Sequence, residues 1–225
     1  MATPYVLVEL GSAGSTQHEA RSRFRESPVL VTAQIQTSGR GRMGRDWVSA
    51  PRAVAASLCL SPSWPQESFG VIPLVAGLAA RDAAGGEVQL KWPNDLVLGG
   101  RKVGGLLVEA EGTTVTIGLG LNLWWPDPID GAGALLQADP GVEAPDWIAE
   151  QWADLLLERL ATGLTQWGRD EYSRVCTTLG KEITWHPGGS GIAVAISEDG
   201  GLVVTTPEGE TVLRSGEVSE IRPAP

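Results

Sequence analysis

The chain has 225 residues, a formal net charge of −10 at pH 7 and a sequence pI of about 4.7. This length allows one sizeable core and a small appended domain, and the acidic balance argues against nucleic-acid binding, which needs an excess of Lys and Arg. The two cysteines, Cys59 and Cys176, form neither a metal spacing nor a disulfide framework, so we interpret both as small buried hydrophobic residues.

The beginning of the chain shows no targeting pattern. Met1 to Leu10 lacks the basic region and long apolar core of a signal peptide. No apolar run in the sequence approaches the roughly 20 residues that span a bilayer. We therefore expect a cytoplasmic protein with no membrane partner.

Strand and helix patterns alternate in the amino-terminal half. Residues 5–10 have the β-branched and aromatic content of a strand. Ser15 or Thr16 can cap a helix that continues to about Glu26, with Glu19 as the capping-box partner of Thr16. Further apolar runs predict strands over 29–35 and 53–60 and a mostly buried helix over 71–84.

The central part of the chain reads as β segments followed by a helix. We predict β segments over residues 88–92, 96–98, 103–110 and 114–123, with tight turns at Gly99-Gly100 and Glu111-Gly112. Residues 124–144 are rich in Pro, Gly and Asp and are predicted to be an irregular connection. Apolar residues then recur at spacings of three and four over 146–167, which predicts an amphipathic helix, and 170–179 can form a further helical segment.

The sequence changes character from Gly180 onward. Short β runs at residues 182–185, 192–196, 202–205 and 211–213 alternate with turn signals rich in glycine. This pattern predicts a small β-barrel or open sandwich. We place a domain boundary near Leu179, which divides the chain into residues 1–179 and 180–225.

The most informative segment is an arginine loop, residues 39–47. Its first seven residues contain three arginines and three glycines in an otherwise acidic chain. Glycine lets the backbone approach a ligand closely, and arginine offers a permanent charge and a fork of donors that fits carboxylate and phosphate oxygens. We therefore predict a flexible loop that closes over an anionic ligand.

Three further motifs follow the arginine loop. They are Lys91-Trp92-Pro93-Asn94-Asp95, Arg101-Lys102-Val103-Gly104-Gly105-Leu106-Leu107-Val108-Glu109 and Gly118-Leu119-Gly120-Leu121-Asn122. Over about residues 15–122, the four motifs together resemble the biotin protein ligases, also called biotin–[acetyl-CoA-carboxylase] ligases. The β-rich end with Gly216-Glu217-Val218-Ser219 also looks like the last domain of that family.

The resemblance implies a fold and a reaction. The fold is α+β: a mixed β-sheet catalytic domain flanked by helices, like that of a class II synthetase, followed by a small SH3-like β-barrel. The reaction uses ATP and Mg²⁺ to convert biotin into biotinyl-5′-AMP. The biotinyl group is then transferred to a lysine of a biotin carboxyl carrier domain of an acyl-CoA carboxylase.

The residues fit this reaction class independently of the resemblance. Attack of a carboxylate on the α-phosphorus of ATP brings two anions together, so fixed cations are needed where negative charge develops. Arg40, Arg42 and Arg45 can supply them from the loop, and Lys102 can do so from a better fixed position on a strand.

The resemblance also implies roles for single residues. The positions that match catalytic residues are Lys102, Arg40 and Arg42. Those that match biotin contacts are Ser15, Thr16, Gln36, Gly39, Arg40, Arg42, Lys102 and Gly105. Those assigned to the nucleotide are Arg42, Arg45, Trp47, Lys91, Asn94 and Asn122, and Asp95 is the candidate ligand of Mg²⁺.

Simpler interpretations stay open for several of these residues. Ser15 and Thr16 can be a helix cap and nothing more. Asp95 can belong to a structural turn in which it pairs with Lys91 or an arginine. Glu109 is interpreted as a strand residue paired with a loop arginine.

The chain departs from the family pattern in two places, and two alternative functions stay open. Met43 stands where the family usually has an arginine, which removes one positive charge. The catalytic motifs begin almost at Met1, so we expect a monofunctional ligase without the DNA-binding domain of the bifunctional ligase–repressors. The alternatives are a lipoate or octanoate protein ligase and a biotin sensor that binds without catalysis.

Overall fold

The structure of the protein is a computed structural model that describes residues 4–186, 188–214 and 218–220. The strands are β1 (Val6–Ala13), β2 (Val29–Gln36), β3 (Arg52–Leu60), β4 (Gln89–Lys91), β5 (Asp95–Leu98), β6 (Arg101–Glu111), β7 (Thr114–Trp124), β8 (Glu182–Trp185), β9 (Ser190–Ile196), β10 (Leu202–Thr206), β11 (Gly209–Leu213) and β12 (Val218–Glu220). The helices are α1 (Thr16–Arg23), α2 (Ile72–Ala83), α3 (Ala144–Ala161) and α4 (Arg169–Val175), with 3₁₀ turns at Arg42–Gly44, Gln66–Val71 and Leu164–Gln166.

Seven strands form one mixed sheet in the order β1-β2-β3-β7-β6-β5-β4. β1 and β2 are parallel, and each of the other neighbouring pairs is antiparallel. The parallel pair arises because α1 carries the chain back across the sheet before β2 begins, whereas short turns join β4 to β5, β5 to β6 and β6 to β7. The predicted α+β fold with a mixed sheet is confirmed.

Helices cover both faces of this sheet. Alternating residues of a strand point to opposite faces, and Leu30 and Leu58 belong to the core that contains α2 and α3. Their neighbours Val29, Val31 and Cys59 pack in a separate cluster with Ala20 of α1. The sheet is therefore enclosed between α1 on one side and α2 with α3 on the other.

The carboxy-terminal part forms a second, antiparallel sheet of five strands in the order β11-β10-β9-β8-β12. The short strands predicted in this region are thus confirmed. Its apolar side chains, such as Ile183, Leu202 and Val204, are continuous with the core of the larger sheet. Gly216 and Glu217 of the carboxy-terminal motif lie outside the described residues.

The predicted capping box of the first helix is wrong. Ser15 is the N-cap residue and makes no side-chain capping bond, and Glu19 pairs with Arg23. The Thr16 hydroxyl donates instead to Gln36 Oε1, at 3.1 Å. The helix also ends at Arg23 rather than near Glu26.

Two further helices end earlier than the sequence predicts. The helix predicted over 146–167 ends at Ala161, because Gly163 follows with a φ of +90°, in the left-handed region. α4 ends at Val175, because the next residues run beside β4, where Cys176 forms a parallel bridge with Leu90. No helix in the described part of the chain is both long and apolar enough to cross a membrane.

Candidate active site

A cavity of about 180 Å³ lies beneath the arginine loop, where the N-terminus of α1 meets β3, β6 and β7. It brings together most of the site residues predicted from the sequence. Those that line it are Ser15, Thr16, Gln36, Arg40, Arg42, Arg45, Trp47, Asn94, Lys102 and Gly105.

The arginine loop folds into a small hairpin over this cavity. Gly41 N donates to Arg45 O at 2.7 Å, and Trp47 N donates to Gly39 O at 3.0 Å. The 3₁₀ turn between them places Met43 at φ +57°, where a residue with a Cβ is strained. The backbone of the loop thus closes on itself and points its arginines towards the cavity.

Trp47 enters the cavity because glycines make room for its indole ring. A Cβ on Gly120 would lie 2.6 Å from Trp47 Cε2, and one on Gly39 would lie 3.4 Å from Trp47 Cδ1. A Cβ on Gly105 would lie 3.4 Å from Trp47 Cζ3. The indole Nε1 is buried and has no hydrogen-bond partner among the described residues, so it can donate to a ligand.

The cationic end of the cavity contains Lys102 and Arg42 with their partners. Lys102 Nζ lies 2.6 Å from Asp95 Oδ1 and 5.6 Å from the centre of the Trp47 ring. Arg42 Nη1 donates to Asn94 Oδ1 at 2.9 Å, and Asn94 Nδ2 donates to Leu106 O at 2.9 Å. The turn after Pro93 therefore holds one partner for each of the two cations.

The amide end of the cavity is polar without a net charge. Ser57 Oγ donates to Thr16 Oγ1 at 2.8 Å, and Thr16 Oγ1 donates to Gln36 Oε1 at 3.1 Å. Thr16 N donates to the same oxygen at 2.9 Å, so Gln36 has its amide nitrogen left to donate. Gln17 Oε1 is buried and has no partner among the described residues, which makes it an acceptor for a ligand N–H.

Two glycines of β7 lie at the two ends of the cavity and show how far apart these ends are. Gly118 lies against Gln17 and Ser57 at the amide end. Gly120 lies against Trp47 and pairs with Gly105, which neighbours Lys102 at the cationic end. Two residues along a strand span roughly 7 Å. The cavity thus offers neutral hydrogen-bonding groups and fixed cations at opposite ends of a short path.

Two residues that line the cavity, Ser57 and Gln17, are not predicted from the sequence. Ser57 lies in an apolar strand and is completely buried, and Gln17 follows the two residues that the resemblance singles out. A polar residue within an apolar run is the available signal for Ser57. Its direction depends on how β3 aligns with its neighbours, which the sequence alone does not reveal.

Four predicted site residues do not line the cavity: Gly39, Lys91, Asp95 and Asn122. Asn122 is 2% exposed, and its side chain accepts from Ala50 N at 3.2 Å and donates to Gly133 O at 3.1 Å. Lys91 lies opposite Asp95 in the β4–β5 ladder, while the Asp95 carboxylate turns to Lys102. These contacts make Asn122 and Asp95 supports for the cavity wall.

Two acidic residues bear on other predictions. Glu109 accepts a hydrogen bond from Gln17 Nε2 at 3.1 Å, whereas the sequence suggests a loop arginine as its partner. Asp95 is the carboxylate next to the cationic end. In the described part of the chain, no group of three His, Cys, Asp or Glu side chains converges to hold a metal ion. An ion at this site would therefore need most of its ligands from a bound phosphate.

Comparison with known proteins assigns the family. Residues 12–122 match the model of the biotin/lipoate A/B protein ligase family. A biotin–[acetyl-CoA-carboxylase] ligase of Mycobacterium tuberculosis is 34% identical over 218 residues, which cover 86% of this chain and 79% of the relative. The chain belongs to the biotin protein ligases.

Other relatives agree with this assignment. The ligase of the same name from Paracoccus denitrificans is 32% identical, over 84% of this chain and 88% of its own. Among solved structures, the biotin protein ligase from Aquifex aeolicus in complex with biotin and ATP has a TM-score of 0.82 and 27% identity. The match covers 97% of this chain and 99% of that one, so both sheets are included.

Proposed function

We propose that this biotin protein ligase joins biotin to a carrier protein in two steps. In the first step, a carboxylate oxygen of biotin attacks the α-phosphorus of ATP. The bond between that phosphorus and the bridging oxygen breaks, and pyrophosphate leaves with the electron pair. In the second step, the ε-amine of a lysine on a biotin carboxyl carrier domain attacks the acyl carbon of biotinyl-5′-AMP. AMP leaves, and the amine loses its proton.

The observation that carries the proposal is the two-ended cavity. Biotin has a neutral ureido ring, with N–H donors and a carbonyl acceptor, and a carboxylate at its other end. The amide end offers the acceptor Gln17 Oε1 and the donor Gln36 Nε2. The cationic end, with Lys102 and Arg42, suits the carboxylate and the α-phosphate.

Lys102 and the loop arginines then have defined roles. Lys102 stabilises the negative charge that develops between the carboxylate and the α-phosphorus, and Arg40 and Arg42 cover the adenylate and exclude water. Arg45, Trp47 and Asn94 contact the nucleotide. Fixed donors act strongly where charge develops, and removal of one typically costs about 3 kcal/mol in the transition state.

A magnesium ion would be held here mainly by the phosphates of ATP and would neutralise part of their charge. Mg²⁺ commonly binds through one or two carboxylates together with substrate phosphates. Asp95 is the carboxylate beside the cationic end, and binding of the ion there would release Lys102 from its present ion pair towards biotin. Lys91, which pairs with Asp95 in the β4–β5 ladder, is the cation that we assign to the outer phosphates.

The proposal extends to the fold and to the acceptor. We assign residues 1–179 to a catalytic domain of the class II synthetase type and residues 180–225 to an SH3-like β-barrel. The carrier domain docks by pairing with a free edge of the larger sheet, such as β1, which ends the strand order. Proline substitutions along β1 that leave carrier biotinylation intact would exclude this docking edge.

The test of the proposed function is biotin-dependent exchange of labelled pyrophosphate into ATP. We expect exchange in the wild type and a loss of about a hundredfold or more in Lys102→Ala. Lys181→Ala, an exposed lysine before β8, is the matched control and retains the wild-type rate. Exchange with octanoate or lipoate but not biotin would assign a sister activity, and biotin binding without exchange would assign a sensor.

A further inference from the structure

Trp92 lies in the Lys91-Trp92-Pro93-Asn94-Asp95 motif but does not line the cavity. Its side chain is 2% exposed and reaches the second sheet. The indole Nε1 donates to Gly200 O at 3.0 Å, across 108 residues of chain. The motif is thus bound directly to the turn between β9 and β10.

This turn, residues 197–201, is itself held firmly. Ser197 N donates to Gly201 O at 2.8 Å, and Gly200 N donates to Ser197 O at 3.0 Å. Gly200 has φ +80°, and a Cβ there would lie 3.4 Å from Val71 Cα. Trp167 Nε1 donates to Glu198 O at 3.0 Å. The turn is therefore a fixed support between the two sheets.

The backbone leads from Trp92 straight to the cationic end. Trp92 N donates to Thr178 Oγ1 at 3.0 Å. Hydrogen bonds therefore hold both the backbone and the side chain of Trp92, at the start of the turn. Two and three residues later come Asn94, the partner of Arg42, and Asp95, the partner of Lys102. A movement of Trp92 must therefore move the groups that orient both cations.

We propose that Trp92 is a positioning residue through which the second sheet holds the cationic end of the active site. The inference rests on the proposed function. Loss of its indole hydrogen bond loosens the turn that orients Lys102 and Arg42. The amide end is built from α1, β2 and β3, so biotin recognition there is left in place.

The decisive variant is Trp92→Phe, which keeps an aromatic ring and removes the N–H donor. Displacement of catalytic groups by about 1 Å can cost about a hundredfold in rate. We expect the kcat of pyrophosphate exchange to fall about tenfold or more, with the KM for biotin within about twofold of wild type.

The chain offers a matched control for this variant. Trp64 is also buried, at 6% exposed, and its Nε1 donates to Leu160 O at 3.0 Å within the larger domain. Trp64→Phe removes an equivalent hydrogen bond from an indole to a backbone oxygen. We therefore expect it to lower the free energy of unfolding about as much as Trp92→Phe does, while its kcat stays at the wild-type value. Equal kcat losses in both variants, or a rise in the KM for biotin alone in Trp92→Phe, would overturn the inference.

A second variant and a second readout make the test independent of catalysis. Gly200→Ala strains the supporting turn, because φ there is +80°, while its Cβ meets Leu74 and Val71 of the larger domain at a contact distance of 3.4 Å. Amide hydrogen exchange without substrates should become faster at Asn94, Asp95 and Leu96 in Gly200→Ala and Trp92→Phe, but not in Trp64→Phe. Unchanged protection of these amides in both variants would refute the coupling. Absence of exchange activity in the wild type would instead count against the proposed function alone.

Discussion

Among the described glycines that contact Trp47, Gly120 is the one where an added Cβ would come closest to the indole ring. A Cβ at this position would lie 2.6 Å from one ring atom and 2.7 Å from the next. Atoms this close must separate, so the Gly120→Ala variant must displace the indole from the cavity. Because Trp47 lies beside Lys102, the displacement also alters the surroundings of the cationic end.

We predict that Gly120→Ala weakens nucleotide binding by about tenfold or more, which isothermal titration with ATP and biotin can measure. Gly11→Ala is the control, because a Cβ on that β1 residue meets no atom within 4 Å. Unaltered ATP affinity in Gly120→Ala would show that Trp47 does not contact the nucleotide.

Ser57 starts the hydroxyl chain at the amide end. Its loss removes one hydrogen bond to Thr16 and leaves the Gln36 carboxamide less firmly held. A neutral hydrogen bond contributes about 1 kcal/mol, so we predict that Ser57→Ala raises the KM for biotin about three- to tenfold while kcat changes little. Thr116→Val is the control: its hydroxyl is equally buried but donates to Cys59 and lies outside the cavity lining. A fall in kcat without a change in KM would contradict the assignment.

Sequence motifs predict which residues lie at the site better than they predict the contacts that each side chain makes. The arginine loop and Lys102 are recognisable because their chemistry is rare in an acidic chain. Asn122 is equally conspicuous in its motif, but its amide is engaged with Ala50 N and Gly133 O. Those partners are brought to it by strand pairing and by a long connection, neither of which has a local sequence signal.

At the scale of elements, helix ends are the least predictable feature. The apolar spacing of α3 continues past Ala161 in the sequence, but the left-handed backbone of Gly163 ends the helix. α4 stops because Thr177 N donates to Leu90 O at 2.7 Å and so joins the edge of the larger sheet. The end of α4 is thus set by a backbone hydrogen bond to a residue 87 positions away, which local helix propensity cannot predict.

Arg159 joins three helices at their ends. Its Nη2 lies 2.6 Å from Asp82 Oδ2 of α2 and 2.8 Å from Glu171 Oε1 of α4, with its side chain 22% exposed. Arg159→Met would keep the packing of the stem and leave two carboxylates close together without a cation. We predict a loss of about 1.5–3 kcal/mol in the free energy of unfolding, measured with urea at neutral pH.

The control for this prediction lies on the same helix as Glu171. Arg174 of α4 is exposed, and Arg174→Met should change stability by no more than about 0.5 kcal/mol. Because the loss in Arg159→Met comes from the repulsion between two uncompensated carboxylates, it should shrink as the ionic strength rises and salt screens that repulsion. A loss that is the same at low and high salt would point to packing rather than charge.

On the scale of the whole molecule, the two sheets share one apolar core. One apolar cluster includes Leu74 of α2, Leu156 of α3 and Leu202 of the second sheet. Trp92 and Trp167 add hydrogen bonds across the junction. A shared core leaves no polar boundary along which the second sheet can separate cheaply, so a single cooperative transition is expected.

Unfolding at alkaline pH can test whether the whole chain unfolds in one transition. The chain has two tyrosines, Tyr5 and Tyr172, and they are 4% and 1% exposed. Burial raises the pKa of both, and the nearby carboxylates of Asp154 and Glu150 raise the pKa of Tyr5 further. Burial also raises the pKa of the thiols of Cys59 and Cys176.

The sign of the pH effect follows from these shifts. Below the unfolded pKa values, about 8.5 for thiols and 10 for tyrosines, both states hold the protons and the effect is absent. Above them the unfolded state loses protons that the folded state keeps, so stability falls as pH rises. Each tyrosine adds a slope of about 1.4 kcal/mol per pH unit above pH 10.

We predict that tyrosinate absorbance appears only together with the loss of far-ultraviolet circular dichroism, in one transition above about pH 10. Tyr5→Phe should halve the absorbance change and reduce the steepness of the stability loss, because one of the two titrating phenols is gone. Tyrosinate formation near pH 10 with the circular dichroism intact would mean that a phenol reaches solvent in the folded protein. The helices over Tyr5 or the junction around Tyr172 would then open independently of the rest.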